Sequence, residues 1–180
     1  MRYAGRIVAA AMLVACGLAR GNELADFGVA PTRDLRLANY AAPTPREVPG
    51  ARTIHTRQLQ AWLRRDAPMR PVLLDVVGGE GHESIPGAVW LPGAGRGQSY
   101  DDAVQGQLAS ALQVLTGGSL ARPIVFLCAG VNCWLSYNAS LRAAALGYAE
   151  VYWYRGGIEA WIEAGGDLSP MRRSWRAPPE

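Results

Sequence analysis

Cys128 and Cys133 carry the most reactive side chains in this 180-residue sequence. Their Cys-x4-Cys spacing differs from the Cys-x-x-Cys of common redox motifs. A bond between them would close a very short loop and contribute about 2 kcal/mol on chain-entropy grounds, so it would be structurally modest and open to reduction. It requires Cα atoms within about 7 Å. Cys128 follows the apolar run Pro123 to Leu127 and opens the loop Ala129, Gly130, Val131 and Asn132. Cys133 and Trp134 then stand near the first turn of an expected helix. In α/β sheets, sites gather at the carboxyl ends of strands. A cysteine there faces unpaired N–H groups of a helix N-terminus, whose field favours a thiolate. The plainer alternative is a small buried hydrophobe. Zinc fits poorly, because only His55 and His82 could complete four ligands and both lie at wide, irregular spacing. No metal and no cofactor is expected.

Alternating strands and helices are needed to place these cysteines. Arg52 to His55 reads as a short strand, and Thr56 as the cap of a helix with Leu59, Trp62 and Leu63 on its apolar face. Pro71 to Val77 is a continuous apolar run closed by Gly78-Gly79, as in a strand buried on both faces. Ala88 to Leu91 is a further strand. Asp101 or Asp102 opens a helix carrying Val104, Leu108, Leu112 and Leu115, and Gly117-Gly118 stops it. After the cysteine loop a helix runs to about Gly147. Val151 to Tyr154 is a strand, and Ile158 to Ala164 a last helix ended by Gly165-Gly166. This order predicts a parallel α/β sheet covered on both faces. Residues 21–50, with Pro31, Pro43, Pro45 and Pro49, read as a linker or an extended segment lying on the domain. The domain is expected over 51–168, with a tail over 169–180. The aromatic residues Trp134, Tyr137, Tyr152, Trp153, Tyr154 and Trp161 suit a core, or alternatively a partner-docking face.

Composition narrows the function classes. An apolar fraction of 49 % and a charged fraction of 18 % fit one globular domain. Every cation is Arg, 18 in all, against 15 acidic residues. Residues 1–20 read as an export signal: Arg2 and Arg6 precede an apolar run from Ile7 to Ala15 that is too short to span a bilayer. Leu13-Val14-Ala15-Cys16 resembles a bacterial lipobox, which would make Cys16 a lipidation site. Cleavage after Gly17-Leu18-Ala19 and a retained anchor are the alternatives. Each puts the domain outside the cytoplasm, in the periplasm, with any membrane attachment limited to the N-terminus. Without the first twenty residues 15 Arg face 15 acidic residues, and no basic stripe remains for nucleic acid. Cys128 and Cys133 are then an even pair in an oxidising compartment.

The motifs Leu73-Leu74-Asp75-Val76, His82-Glu83-Ser84-Ile85-Pro86-Gly87-Ala88, the strand ending in Cys128, Gly147-Tyr148, Gly156-Gly157 and Trp161 resemble the rhodanese-like family. The resemblance implies a rhodanese-like α/β fold, a central parallel sheet of about five strands with helices on both faces. It implies that the loop from Cys128 is the active-site loop. A Cys128 thiolate would take the outer sulfur of a donor such as thiosulfate, loop amides would hold the persulfide, and an acceptor thiol would remove it. Asp75 matches the family's strand-end Asp, implying local hydrogen bonds that position loops. Cys128 to Ala139 with Val151-Tyr152-Trp153-Tyr154 is similar to a periplasmic rhodanese-like family linked to PQQ-dependent alcohol catabolism, with a two-cysteine motif ending in Cys-Trp. That resemblance implies a periplasmic quinoprotein or cytochrome as partner.

The sequence departs from the sulfurtransferase pattern. The loop is longer, and Cys133-Trp134 stands where an Arg or Lys is expected. An anionic donor is held less well, and a phosphatase lacks its phosphate-gripping Arg. Arg96 is a candidate source of the missing charge. His82 is read as a surface residue on a glycine hinge, with a general-base role as the alternative. Two readings follow. In one, Cys128 with Cys133 as second thiol performs sulfur transfer or thiol–disulfide chemistry. In the other, the chain is a non-catalytic binding module with a permanent Cys128–Cys133 disulfide.

Overall fold

The computed structural model describes residues 23–173 and Trp175, so Cys16 and the expected export signal lie outside the described residues. The elements in chain order are β1 (Arg52–Ile54), α1 (Thr56–Leu63), a 3-10 turn (Ala67–Met69), β2 (Val72–Asp75), β3 (Glu83–Ser84), β4 (Val89–Trp90), α2 (Ala103–Leu115), β5 (Ile124–Leu127), α3 (Trp134–Ala145), β6 (Val151–Tyr154), α4 (Gly157–Glu163) and β7 (Ser169–Pro170). The main sheet has the order β1-β6-β5-β2-β4, and every neighbouring pair is parallel. The two-residue period of the strands divides the core. Leu74, Ile124 and Phe126 face α2 and α3, with Leu108, Leu112, Leu135 and Ala139. Leu73, Val125 and Leu127 face the other side, with Leu59 of α1 and Trp161 of α4. Central β5 therefore reads as the unbroken apolar run expected of a doubly covered strand. It delivers Cys128 to the middle of the sheet's carboxyl edge.

Several expectations are corrected. The residue at the cap of α1 is His55, and Thr56 is the first helical residue. The Thr56 hydroxyl is engaged elsewhere, with the Glu23 carboxylate at 2.9 Å and the Tyr154 hydroxyl at 2.7 Å. The strand expected over 71–77 pairs only over Val72–Asp75, because Asp75 Oδ1 accepts the Val77 amide at 2.8 Å and turns the chain. Of the tail expected over 169–180, the described residues are built into the fold: β7 pairs antiparallel with β3, Arg173 bridges Trp90, and Trp175 is buried beside α2.

Of the two acids proposed for the α2 cap, Asp102 serves, accepting the Gln105 amide at 2.8 Å. It also pairs with Arg142 of α3 at 2.9 Å. Arg142 is fully buried, and its guanidinium donates as well to the carbonyls of Arg96 and Ser99 and to Gln105 Oε1. Burial pushes the Asp102 carboxyl up. The Arg142 guanidinium and the Gln105, Gln98 and Ser99 amides overcome this and hold it at about 2.

Residues 23–51 contain no strand or helix, yet they are fixed as a strap over α3 and β6. Val29, Leu35, Tyr40, Ala42 and Val48 pack on Trp134, Tyr137, Leu141 and Trp153. The Tyr137 hydroxyl donates to the Thr32 carbonyl at 2.8 Å. Asn138 bonds both backbone groups of Arg36. The docking-face alternative for Trp134, Tyr137 and Trp153 is thereby removed: the strap covers them.

Candidate active site

The strand β5 ends at Leu127, and Cys128 and Cys133 are joined in a disulfide with Cα atoms 6.2 Å apart. Cys133 is the N-cap residue of α3, so the loop meets the positive end of that helix. Cys128 is 2 % exposed and Cys133 9 %, both packed with Val76, Leu91, Ala94 and Leu135. The bonded pair is closed to solvent.

Besides the disulfide, the hydrogen bonds of the loop backbone among the described residues run through its carbonyls. Those of Cys128 and Ala129 accept the Ile158 and Glu159 amides of α4 at 3.0 and 2.9 Å. The Gly130 carbonyl accepts the Cys133 amide at 3.1 Å. The Val131 and Asn132 carbonyls accept the Thr44 and Ala42 amides of the strap at 3.2 and 2.9 Å. The Thr44 hydroxyl also donates to Val131 at 2.6 Å. The amides of Ala129, Gly130, Val131 and Asn132 have no acceptor among the described residues. Spent carbonyls and unspent N–H groups leave the loop rich in donors that a thiolate or persulfide could use, with the Glu159 carboxylate at Gly130 acting against them.

One glycine permits this packing. Gly157 stands at φ +59°, and a Cβ there would collide with the Cys128 carbonyl. Gly130 has the Glu159 carboxylate against it, so a Cβ there would displace that exposed side chain and no backbone. Trp134 fixes the start of α3: its amide donates to the Tyr40 carbonyl at 2.9 Å and its indole to the Pro43 carbonyl at 3.0 Å.

The remaining expected residues are placed less centrally. Asp75 is fully buried at the end of β2, and its Oδ2 lies 2.7 Å from His82 Nε2. His82 is therefore not a surface residue. It is mostly buried against the Trp90 ring at 4.7 Å and locked to Asp75. Register places Asp75 beside Leu127, whose side chain faces α1 and α4, whereas Cys128 packs on the α2 and α3 side. The Asp75–His82 pair thus holds the chain after β2. Arg96 is exposed in the turn after β4, with its guanidinium near Gly78.

Sequence reading missed Thr44 and Arg155. Thr44 is fully buried, and Arg155, between β6 and α4, is 1 % exposed. The Arg155 guanidinium donates to the Thr44 hydroxyl at 3.1 Å, the Thr44 carbonyl at 3.0 Å and the Glu23 and Ala25 carbonyls at 2.8 Å. Burial lowers its pKa from the ordinary arginine value. Through the Thr44 hydroxyl, the Arg155 guanidinium stands one hydrogen bond behind the Val131 carbonyl. The one available signal was a threonine held extended between Pro43 and Pro45. Among the described residues no cluster of metal-ligating side chains occurs.

The Rhodanese-like domain model matches residues 55–164, and the chain belongs to that family. No curated protein matches it in sequence. Among solved structures, thiosulfate sulfurtransferase from Pseudomonas aeruginosa is similar at TM-score 0.50 and 22 % identity, over 72 % of this chain and 22 % of that one. This chain thus corresponds to about a fifth of that protein. A protein of Bacillus halodurans, BH2092, is similar at TM-score 0.51 and 21 % identity, over 66 % and 77 % of the two chains. A full-length protein from Lactobacillus plantarum is similar at TM-score 0.51 and 20 % identity, over 66 % and 88 %. At these identities the likeness is one of fold.

Proposed function

We propose that this chain is an exported sulfur-handling protein that works through Cys128, with Cys133 as resolving thiol. The observation that carries the reading is the loop's asymmetry: every carbonyl from Cys128 to Asn132 is engaged, while four consecutive amides are left for a negative sulfur. In the dithiol form the Cys128 thiolate attacks the outer sulfur of a donor such as thiosulfate. The donor's S–S bond breaks, sulfite leaves with the bonding pair, and Cys128 carries a persulfide. An acceptor thiol then takes the outer sulfur. Alternatively the Cys133 thiolate attacks the Cys128 sulfur, hydrosulfide leaves, and the disulfide forms. A reducing dithiol returns both thiols. The bonded, buried pair is the resting state of that cycle. The export-like N-terminus and the resemblance to the PQQ-associated family support a periplasmic setting, a lipid anchor at Cys16 and a quinoprotein or cytochrome client.

The test is intact mass after alkylation, on protein left untreated, mildly reduced, and mildly reduced then given thiosulfate. One added sulfur in the wild type and none in Cys128→Ser is expected. No added sulfur, with thiols that alkylate only after unfolding, overturns the reading and leaves a binding module with a structural disulfide.

A further inference from the structure

The strap is joined to the one loop that must change if the disulfide opens. Four hydrogen bonds connect residues 40–44 to the backbone of 131–134, and Ala41 forms an antiparallel bridge with Cys133 itself. Thr44 is the centre of this contact. Its amide and hydroxyl converge on the Val131 carbonyl, while its hydroxyl oxygen and carbonyl are both held by Arg155. A fully buried hydroxyl with donor and acceptor roles both filled has one well-defined orientation.

Resting on the functional reading above, we propose that Thr44, oriented by Arg155, is a positioning residue that sets how readily the Cys128–Cys133 bond opens. The Thr44 hydroxyl holds Val131 where the bonded loop places it. Reduction cleaves the S–S bond: two electrons and two protons enter from a dithiol, which becomes a disulfide. The cyclic constraint on residues 128–133 is gone, and in this proposal the loop then leaves its register on the strap. The hydrogen bond belongs to the disulfide form, so it raises the effective concentration of one thiol for the other. By linkage, a strap that favours the bonded loop is itself held more firmly when the bond is present, by the same factor.

The experiment equilibrates the full chain with mixtures of reduced and oxidised dithiothreitol, and reads the bonded fraction by alkylation and mass. Thr44→Val is expected to shift the constant toward the dithiol about three- to tenfold, the range of one hydrogen bond. Thr44→Ser, which keeps the hydroxyl, stays near the wild type. Equal constants for Thr44→Val and wild type overturn the proposal. Should Thr44→Val fail to fold, the wild type alone decides by trypsin cleavage after Arg33, Arg36 or Arg46. Faster strap cleavage in the dithiol form supports the coupling, and equal rates overturn it. A wild-type disulfide that resists reduction until the chain unfolds sinks the functional reading itself. That result differs from a reducible bond indifferent to Thr44.

Discussion

A thiosulfate dianion approaching Cys128 meets a loop without a charged side chain and, against Gly130, the carboxylate of Glu159. That carboxylate opposes the attraction of the free amides. Glu159→Gln is expected to speed persulfide formation from thiosulfate about two- to fivefold at low salt, with the gain shrinking as salt screens it. The rate with a neutral disulfide such as hydroxyethyl disulfide stays unchanged, and parallel stopped-flow measurements with both donors check this. At this scale the sequence was informative where chemistry is rare. Two cysteines after an apolar strand pointed directly to the loop. His82 was misread because a glycine-flanked histidine carries no mark of the buried carboxylate it meets, seven positions away. Glu159 and Arg155 were passed over, since charged residues beside a glycine pair look solvated until the neighbouring chain is placed.

The strands and helices were legible because each is written in local periodicity: unbroken apolar runs for β2 and β5, spaced leucines for α2, glycine pairs at the ends. The strap has no such signature. Its order comes from carbonyls and amides that answer a loop about ninety residues away, and backbone groups are the same in every sequence. Arg155 ties Glu23, Ala25 and Thr44 of this segment to the end of β6. Arg155→Met is expected to leave the Thr44, Glu23 and Ala25 acceptors unpaired and to destabilise the chain by about 2–4 kcal/mol. Urea unfolding measures the loss, and the strap arginines become trypsin-sensitive before the sheet unfolds. An Arg155→Met strap as resistant as the wild type would contradict this account.

At the scale of the whole molecule, Asp102 is an acid-sensitive joint, where the starts of α2 and the 96–99 turn are gathered onto Arg142 of α3. The folded carboxyl is held at about 2. An unfolded aspartate titrates near about 3.9. The depressed value means that the contribution is complete above the unfolded value and is lost as pH falls through the folded one. The thermal midpoint of the wild type is expected to exceed that of Asp102→Asn at pH 6, with the difference closing between about pH 4 and pH 2. A difference constant across that range would place the stabilisation elsewhere.

The strap also sets an order of assembly. Its hydrogen bonds to the cysteine loop, α3 and Arg155 join residues separated by 87 to 132 positions, from Thr44–Val131 to Glu23–Arg155. The cysteines are five apart. Closing so long a loop is entropically slow, and the acceptor surface does not exist until β6 and the turn into α4 have formed. The first described residues of the chain are therefore the last to be seated. Oxidation of the cysteines can precede that step, and a nascent chain passes through a stage in which its sulfur chemistry is complete while its aromatic face is still bare.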